Sequence, residues 1–303
     1  MWFRNATIYR LAPGFQITAS ELDERLSAFK HQPIDSLNAQ TLGWVPPREN
    51  GPLAHAVGGH SLIQLRIEKK LLPAAVVNKF ARERAAQVEE QQGYKPGRRQ
   101  MKEIKEQVYD ELLPKAFSLA RDIRAWFDFE RRWLVIDTAS ATITDAVLGL
   151  LAKALEPFPL VPLRTGLSPA QAMTGWLAAG EAPGGMTIDE DAHLKSLGSS
   201  KAEIRFLHQA PDPDTLSQQI AGGKQCTRLA LTWQDRISFL LADSLTLRRI
   251  QPLDVLREQD TPGADEDERF DSDFALMGGE LGAMLMSLCG ALELDDNTNQ
   301  ENS

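Results

Sequence analysis

Strand-like and helix-like stretches follow one another along this chain without the regular strand, helix, strand rhythm that builds a parallel sheet. That irregular order predicts an α+β fold, with antiparallel sheets and packed helices. Residues 2–10 alternate and are rich in aromatic and β-branched types, which predicts an opening strand. Leu42–Pro47 reads as a short strand stopped by proline. Ser61–Ile67 and Trp133–Asp137 read as two more, and further strands are expected near 203–208, 226–233, 236–242 and 245–250. Within 226–233, Leu229, Leu231 and Trp233 alternate with Arg228, Ala230 and Thr232, the pattern of a half-buried antiparallel strand.

The helical signals are separate from these. Leu22, Leu26 and Phe29 form one stripe over 21–30, with Ser20 and Asp23 as a capping box. Residues 74–92 favour helix, Gly93–Gly97 breaks it, and a second helix over 98–113 stops at Pro114. In that second helix Met101, Ile104, Val108 and Leu112 share one side, and Arg98, Lys102 and Lys105 line up beside it. The pair reads as a helical hairpin with a wet basic flank. Residues 144–155 form an amphipathic helix. Ser168-Pro169 and Asp212-Pro213 each place a capping side chain before a proline at the first helical position, and Gly180 and Gly222-Gly223 close those helices.

Phe274–Leu292 has Glu280 as its only charge and resembles a membrane span in length. Its four glycines, its acidic flanks and the helical spacing of Met277, Leu281, Met284, Leu288 and Leu292 predict a core helix instead, and no membrane is expected as a partner. At 303 residues the chain is long enough for more than one domain. The expected regions are 1–73 with 126–162 as a central α+β region, 74–125 as a protruding helical tip, and 163–303 as a second α+β region with a C-terminal helix and acidic tail. The proline-rich stretch Glu156–Pro162 marks the boundary. An internal echo relates Trp44, the strand 61–67, Lys69-Lys70-Leu71 and Pro73 to Trp233, the strand 236–242, Arg248-Arg249-Ile250 and Pro252; coincidence is a simpler reading of it than duplication.

The net charge of −9 argues against a nucleic-acid partner when taken whole. Its distribution changes the meaning. Residues 254–303 carry 14 acids and two bases, so the first 253 residues are net +3. Residues 66–105 carry 11 bases against five acids. The molecule has a basic middle and an acidic end.

Motifs for catalysis are mostly missing. Gly222-Gly223-Lys224 is followed by Gln225, and position 218 is Gln rather than Gly, so a phosphate-binding P-loop fails twice. There is no Gly-x-Gly-x-x-Gly after a strand and no Gly-x-Ser-x-Gly elbow. Cys226 and Cys289 stand alone and read as buried thiols, with no zinc module and no disulfide framework. His55 and His60 are expected in a surface loop, and His208 in a solvent-facing position at a strand end. Asp265 to Glu268, Asp271 and Asp273 could hold Mg²⁺ for phosphodiester hydrolysis, but acids ahead of a helix are more simply explained by its macrodipole. Arg4 and Arg10 interrupt the apolar start, so no secretory signal is expected and the protein is read as cytoplasmic.

Seven segments in order resemble the RdgC family of bacterial recombination-associated proteins: Trp2-Phe3-Arg4-Asn5 with Tyr9-Arg10-Leu11, Leu42–Pro47, Leu112–Ser118, Asp137–Ser140, Pro159–Leu163, Leu229–Trp233 and Phe270–Phe274. The resemblance runs from residue 2 to about 290. It implies a non-enzymatic, nucleoid-associated binder of double-stranded DNA that needs no cofactor. In that family two horseshoe-shaped subunits close into a homodimeric ring around the duplex and limit access of the RecA recombinase. Such a hole must be lined with positive charge. The resemblance carries Lys115 over as a base facing DNA and Phe117 as a subunit contact. Arg205, His208 and Gln209 fall on a polar strand end that is more basic in relatives. Beside these, Lys69, Lys70, Lys79, Arg82, Arg98, Lys102, Lys105, Lys224, Arg248 and Arg249 complete the candidate DNA-facing set. The competing readings are a protein-interaction adaptor that uses the acidic end, and a Mg²⁺-dependent nuclease that uses the acids near 265–273.

Overall fold

The computed structural model describes residues 2–196, 202–209, 212–257 and 265–294, so Glu258, Asp260 and the acidic tail from Asp295 onward lie outside the described residues. The architecture is α+β. A first sheet contains β1 (Thr7–Leu11), β2 (Gln40–Val45), β3 (Ala54–Val57), β4 (His60–Lys70), β5 (Ser118–Asp128), β6 (Trp133–Ile136) and β7 (Leu160–Val161). Their order is β2-β4-β5-β6-β1-β7, and β3 pairs with β4 beyond the end of β2. A second sheet, in the order β12-β11-β10-β8-β9, contains β8 (Met186–Ser196), β9 (Glu203–Phe206), β10 (Lys224–Trp233), β11 (Ile237–Ala242) and β12 (Leu247–Pro252). Every strand pairing in both sheets is antiparallel.

The period-two alternation of β4 divides the interior. Ile63 and Leu65 face one core, closed by α1 (Ala19–Ser27) and α4 (Ala141–Ala154), where Leu22, Leu26, Val147 and Leu151 are buried. Leu62 faces the other side and joins Trp126, Trp133 and Phe3 in a larger core. That core is shared with the second sheet, whose Leu229, Leu231 and Trp233 pack with α5 (Pro169–Ala179), α6 (Pro213–Ala221) and α8 (Glu266–Ala291). The short helix α7 (Asp254–Arg257) follows β12. Two backbone hydrogen bonds between Ala6 and Leu247, each 2.9 Å, tie the start of the first sheet to the outer strand of the second.

Beyond these cores β4 and β5 stay paired from His60 opposite Asp128 out to Lys70 opposite Ser118. At that far end they carry a hairpin of α2 (Ala74–Gln92) and α3 (Arg98–Leu112), followed by a 3₁₀ turn over Leu113–Lys115. Gly93 ends α2 with φ 78°, a left-handed conformation that glycine adopts without steric cost. Val77, Ala81, Ile104 and Val108 give the hairpin its own small core.

Several expectations are corrected. Strands β3, β5 and β8 lie where the sequence signals no strand. Thr18, not Ser20, caps α1: its hydroxyl accepts from the Glu21 amide at 3.1 Å. The proline-rich stretch 156–162 contributes β7, which pairs with β1. The echoed basic pairs sit differently, since Lys69-Lys70 ends β4 itself while Arg248-Arg249 lies on a strand after a turn. Finally, His55 and His60 are buried on β3 and β4 rather than exposed in a loop.

The cause of that burial is α8. It is the one helix among the described residues long and apolar enough to cross a membrane, yet Phe274, Met277, Leu281, Met284, Leu285 and Leu288 are buried in the larger core. Gly278 and Gly282 let it approach closely: a Cβ on Gly278 would meet the His60 ring at 2.9 Å, and one on Gly282 would meet Asp128 Oδ2 at 3.1 Å. Gly278 and Gly282 are what allow α8 to lie on the first sheet.

Candidate nucleic-acid interface

The candidate bases fall into two groups. The first follows the hairpin. Lys79 and Arg82 on α2, and Arg98, Lys102 and Lys105 on α3, are all exposed. They stand on the polar faces that remain once Val77, Ala81, Ile104 and Val108 have turned inward. Lys102 pairs with Glu106 one turn on at 3.5 Å, whereas Lys79, Arg82, Arg98 and Lys105 make no ion pair among the described residues. Arg84 instead clamps the two helices together through a bidentate contact with Glu111, both distances 2.9 Å. The hydrogen bond from Arg84 holds the Glu111 carboxyl below its ordinary value, with the charge of Lys115 adding to the effect.

At the hairpin root neighbouring residues separate. Lys69 is exposed. Lys70 is 8% exposed, and its ammonium donates to the carbonyl oxygens of Leu113 at 3.0 Å and Ser36 at 3.3 Å. It is therefore a structural lysine, and its place in the DNA-facing set is corrected: the alternation of β4 turns it under the loop before β2. Lys115 is exposed, and Phe117 is 85% exposed. Leu37, Leu71 and Leu119 are exposed as well, and Leu71 is joined to Phe117 by a backbone hydrogen bond of 2.7 Å. Leu71, Phe117 and Leu119 thus form an apolar patch at the hairpin root.

The second group lies on the second sheet and is more engaged. Arg205 contacts Glu203 at 3.3 Å, and Arg249 contacts Asp191 at 3.0 Å. The backbone amide of His208 also donates to Asp191, and this bond and the Arg249 contact hold the Asp191 carboxyl below its ordinary value. Lys224 is half-buried and donates to Gln219 at 2.7 Å. Arg248 is half-buried, with a buried Nε that has no hydrogen-bond partner among the described residues. His208 and Gln209 are exposed.

Arg121 and Arg124 lie on β5, a strand the sequence reading does not mark: Arg121 is exposed, and half-buried Arg124 donates to Gln64 Oε1 at 3.2 Å. The alternation of Ile123, Ala125 and Phe127 toward one core was the available signal. Arg228 is exposed on β10 opposite His193.

The acids near 265–273 are largely explained by structure. Asp265 and Glu268 form a reciprocal capping box at the start of α8. Asp271 contacts His55 at 2.7 Å, and Arg48 approaches both Asp267 and Asp271, at 3.4 and 3.6 Å. Among the described residues no group of three such side chains is placed to hold a metal.

Residues 1–295 match the family described as "Putative exonuclease, RdgC". The chain belongs to the RdgC family. Its relatives include the recombination-associated protein RdgC of Bordetella parapertussis, 53% identical over 293 residues that cover 96% of this chain and 98% of that protein. The protein of the same name from Cupriavidus necator is 52% identical over equal spans, and that of Ralstonia nicotianae is 48% identical over 98% of this chain and 97% of its own length. A role associated with DNA recombination follows from membership of the RdgC family.

Proposed function

We propose that this RdgC-family protein binds double-stranded DNA without sequence preference, closes as a homodimeric ring of horseshoe-shaped subunits around it, and limits RecA-mediated recombination on the nucleoid in the cytoplasm. The observation that carries the reading is the set of exposed bases on the hairpin that make no ion pair among the described residues, Lys79, Arg82, Arg98 and Lys105, with Lys69 and Lys115 at its root. Side chains of this kind neutralise phosphates and release counterions, which yields affinity without base readout. The apolar patch at Phe117 supplies a contact for a second subunit beside that basic surface. In this reading the tip (74–125) and the second region (163–303) meet their counterparts, and the central region (1–73 and 126–162) spans between them.

The role is that of a non-enzymatic roadblock. The acids of the alternative nuclease reading cap α8 or pair with Arg48 and His55. The test is duplex binding as a function of salt, with supercoiled plasmid and Mg²⁺ as a parallel arm. Affinity is expected to fall roughly tenfold or more between about 50 and 200 mM salt. The plasmid is expected to shift in mobility and remain uncut. Salt-independent or absent binding would sink the binding reading, and nicked or linear product would restore the nuclease.

A further inference from the structure

Three arginines from three strands meet on the face of the second sheet turned away from its helices. Arg205 of β9, Arg228 of β10 and Arg249 of β12 line one depression of about 160 Å³ together with His193, Leu207, Leu240 and a single carboxylate, Asp191. The register explains the meeting. Arg228 stands opposite His193 of β8, and His193 stands opposite Arg205, so two guanidinium groups flank one imidazole. Arg249 arrives from the far edge through a bulge in the β11–β12 pairing.

That bulge places Arg249 at φ 52°, a left-handed conformation rare outside glycine, and His208, which lines the adjoining depression with Asp189, Glu190 and Asp191, has φ 54°. Both hold Asp191, one through its guanidinium and the other through its backbone amide, each at 3.0 Å. Backbone strain of this kind persists only where the surroundings enforce it, and bulges re-aim side chains. Here the strained residues orient a cation into a cavity already bordered by two others. Like charges gathered this way repel unless something between them is negative. Asp191 pairs with Arg249 and Glu203 with Arg205, but exposed Arg228 has no carboxylate partner among the described residues. Each guanidinium keeps unused N–H donors in a planar fork suited to phosphate oxygens. Buried Leu240 and exposed Leu207 add an apolar wall.

We propose that this depression binds a phosphate group, with Arg228 as its central ligand, Arg205 and Arg249 as flanking ligands, and the organic part of the ester against Leu207 and Leu240. The group can belong to a free phosphate ester or to a nucleic-acid strand. The site stands independently of the ring reading.

The test is calorimetric titration of the full chain with inorganic phosphate and with adenosine monophosphate at low salt. The same titrations are run on Arg228→Gln, on Arg249→Gln, and on Arg164→Gln, an exposed arginine outside the depression. Saturable binding is expected for the unaltered chain, weakened at least tenfold in both pocket variants and unchanged in Arg164→Gln, with unchanged thermal unfolding of Arg228→Gln confirming its fold. If duplex DNA displaces bound phosphate, the strand is the source; if it does not, a free ester is. No saturable binding, or equal affinity in Arg228→Gln, overturns the proposal. Phosphate binding in a chain that fails to bind duplex would remove the ring reading and leave this site intact.

Discussion

The ammonium of Lys70 lies 3.0 Å from the carbonyl oxygen of Leu113, joining the last residue of β4 to the turn that ends the helical hairpin. A second bond to the Ser36 carbonyl fixes the loop ahead of β2 to the same point. Lys70→Met keeps the length of the stem and removes the charge, leaving the Ser36 carbonyl without the ammonium and the Leu113 carbonyl with only the Ala116 amide at 3.2 Å. Hydrogen bonds to a charged group contribute about 1.5–3 kcal/mol, so urea unfolding should show a loss of about that size. Amide exchange should also speed up at Leu71 and Ala116. A Lys70→Met protein as stable as the parent would remove Lys70 from its structural role. Exposed Lys69→Gln should leave stability within about 0.5 kcal/mol.

The contact between α8 and the first sheet makes a sharp contrast between adjacent glycines. A Cβ on Gly278 would lie 2.9 Å from the His60 ring, whereas one on Gly279 meets nothing within 4 Å. Gly278→Ala is expected to destabilise by about 1–3 kcal/mol through overpacking. Gly279→Ala should be neutral or stabilising by up to about 1 kcal/mol, since alanine is the better helix former. Thermal unfolding of the two variants decides this, and equal transitions would mean that α8 does not press on His60.

Burial lowers the pKa of His60 below its ordinary value, outweighing the opposing pull of Asp128, and burial likewise lowers that of His193 against the pull of Glu203. The unfolded chain therefore binds these protons more readily than the native one as pH falls below about 6.5. Where the unfolded state binds more protons, stability rises with pH. The stabilisation is fully present above the unfolded value and is lost as pH falls toward the lower folded values. Urea midpoints should drop between pH 7 and pH 5, before most carboxylates titrate. His60→Gln should flatten part of that slope, and an unchanged slope would exclude His60 as a source.

Local signals made much of the fold legible. The hairpin helices, the proline-started α5 and α6 and the alternating β10 all lie where capping residues and periodicity put them. What stayed hidden depended on partners distant in sequence. In β8 the run Asp189-Glu190-Asp191 conceals a strand whose register is set by β10. The burial of His55 and His60 involves a helix more than 200 residues later that lies across them. The basic stretch was visible as composition, but composition does not separate Lys69 from Lys70. One step of strand alternation turns the first to solvent and the second to two carbonyl groups. Arg228 was legible as one of the polar residues of a half-buried strand, and only the pairing with β8 puts it beside His193 and the pocket of Arg205 and Arg249.

Phe117 offers the most direct test of the proposed subunit contact. Its side chain is 85% exposed, so it contributes little to the fold of a single chain, while Leu71 and Leu119 extend the apolar surface around it. A cluster of exposed apolar side chains marks an interaction surface more often than a single one does. Truncating a buried aromatic anchor at an interface commonly costs about 2 kcal/mol or more in association. Phe117→Ser is therefore expected to leave the unfolding midpoint of the monomer unchanged and to weaken self-association roughly thirtyfold, a factor set by about 1.4 kcal/mol per decade. Sedimentation measured over a concentration series separates the two effects. If the dimer persists at dilutions where the variant should be monomeric, the subunit contact lies elsewhere than on the hairpin root.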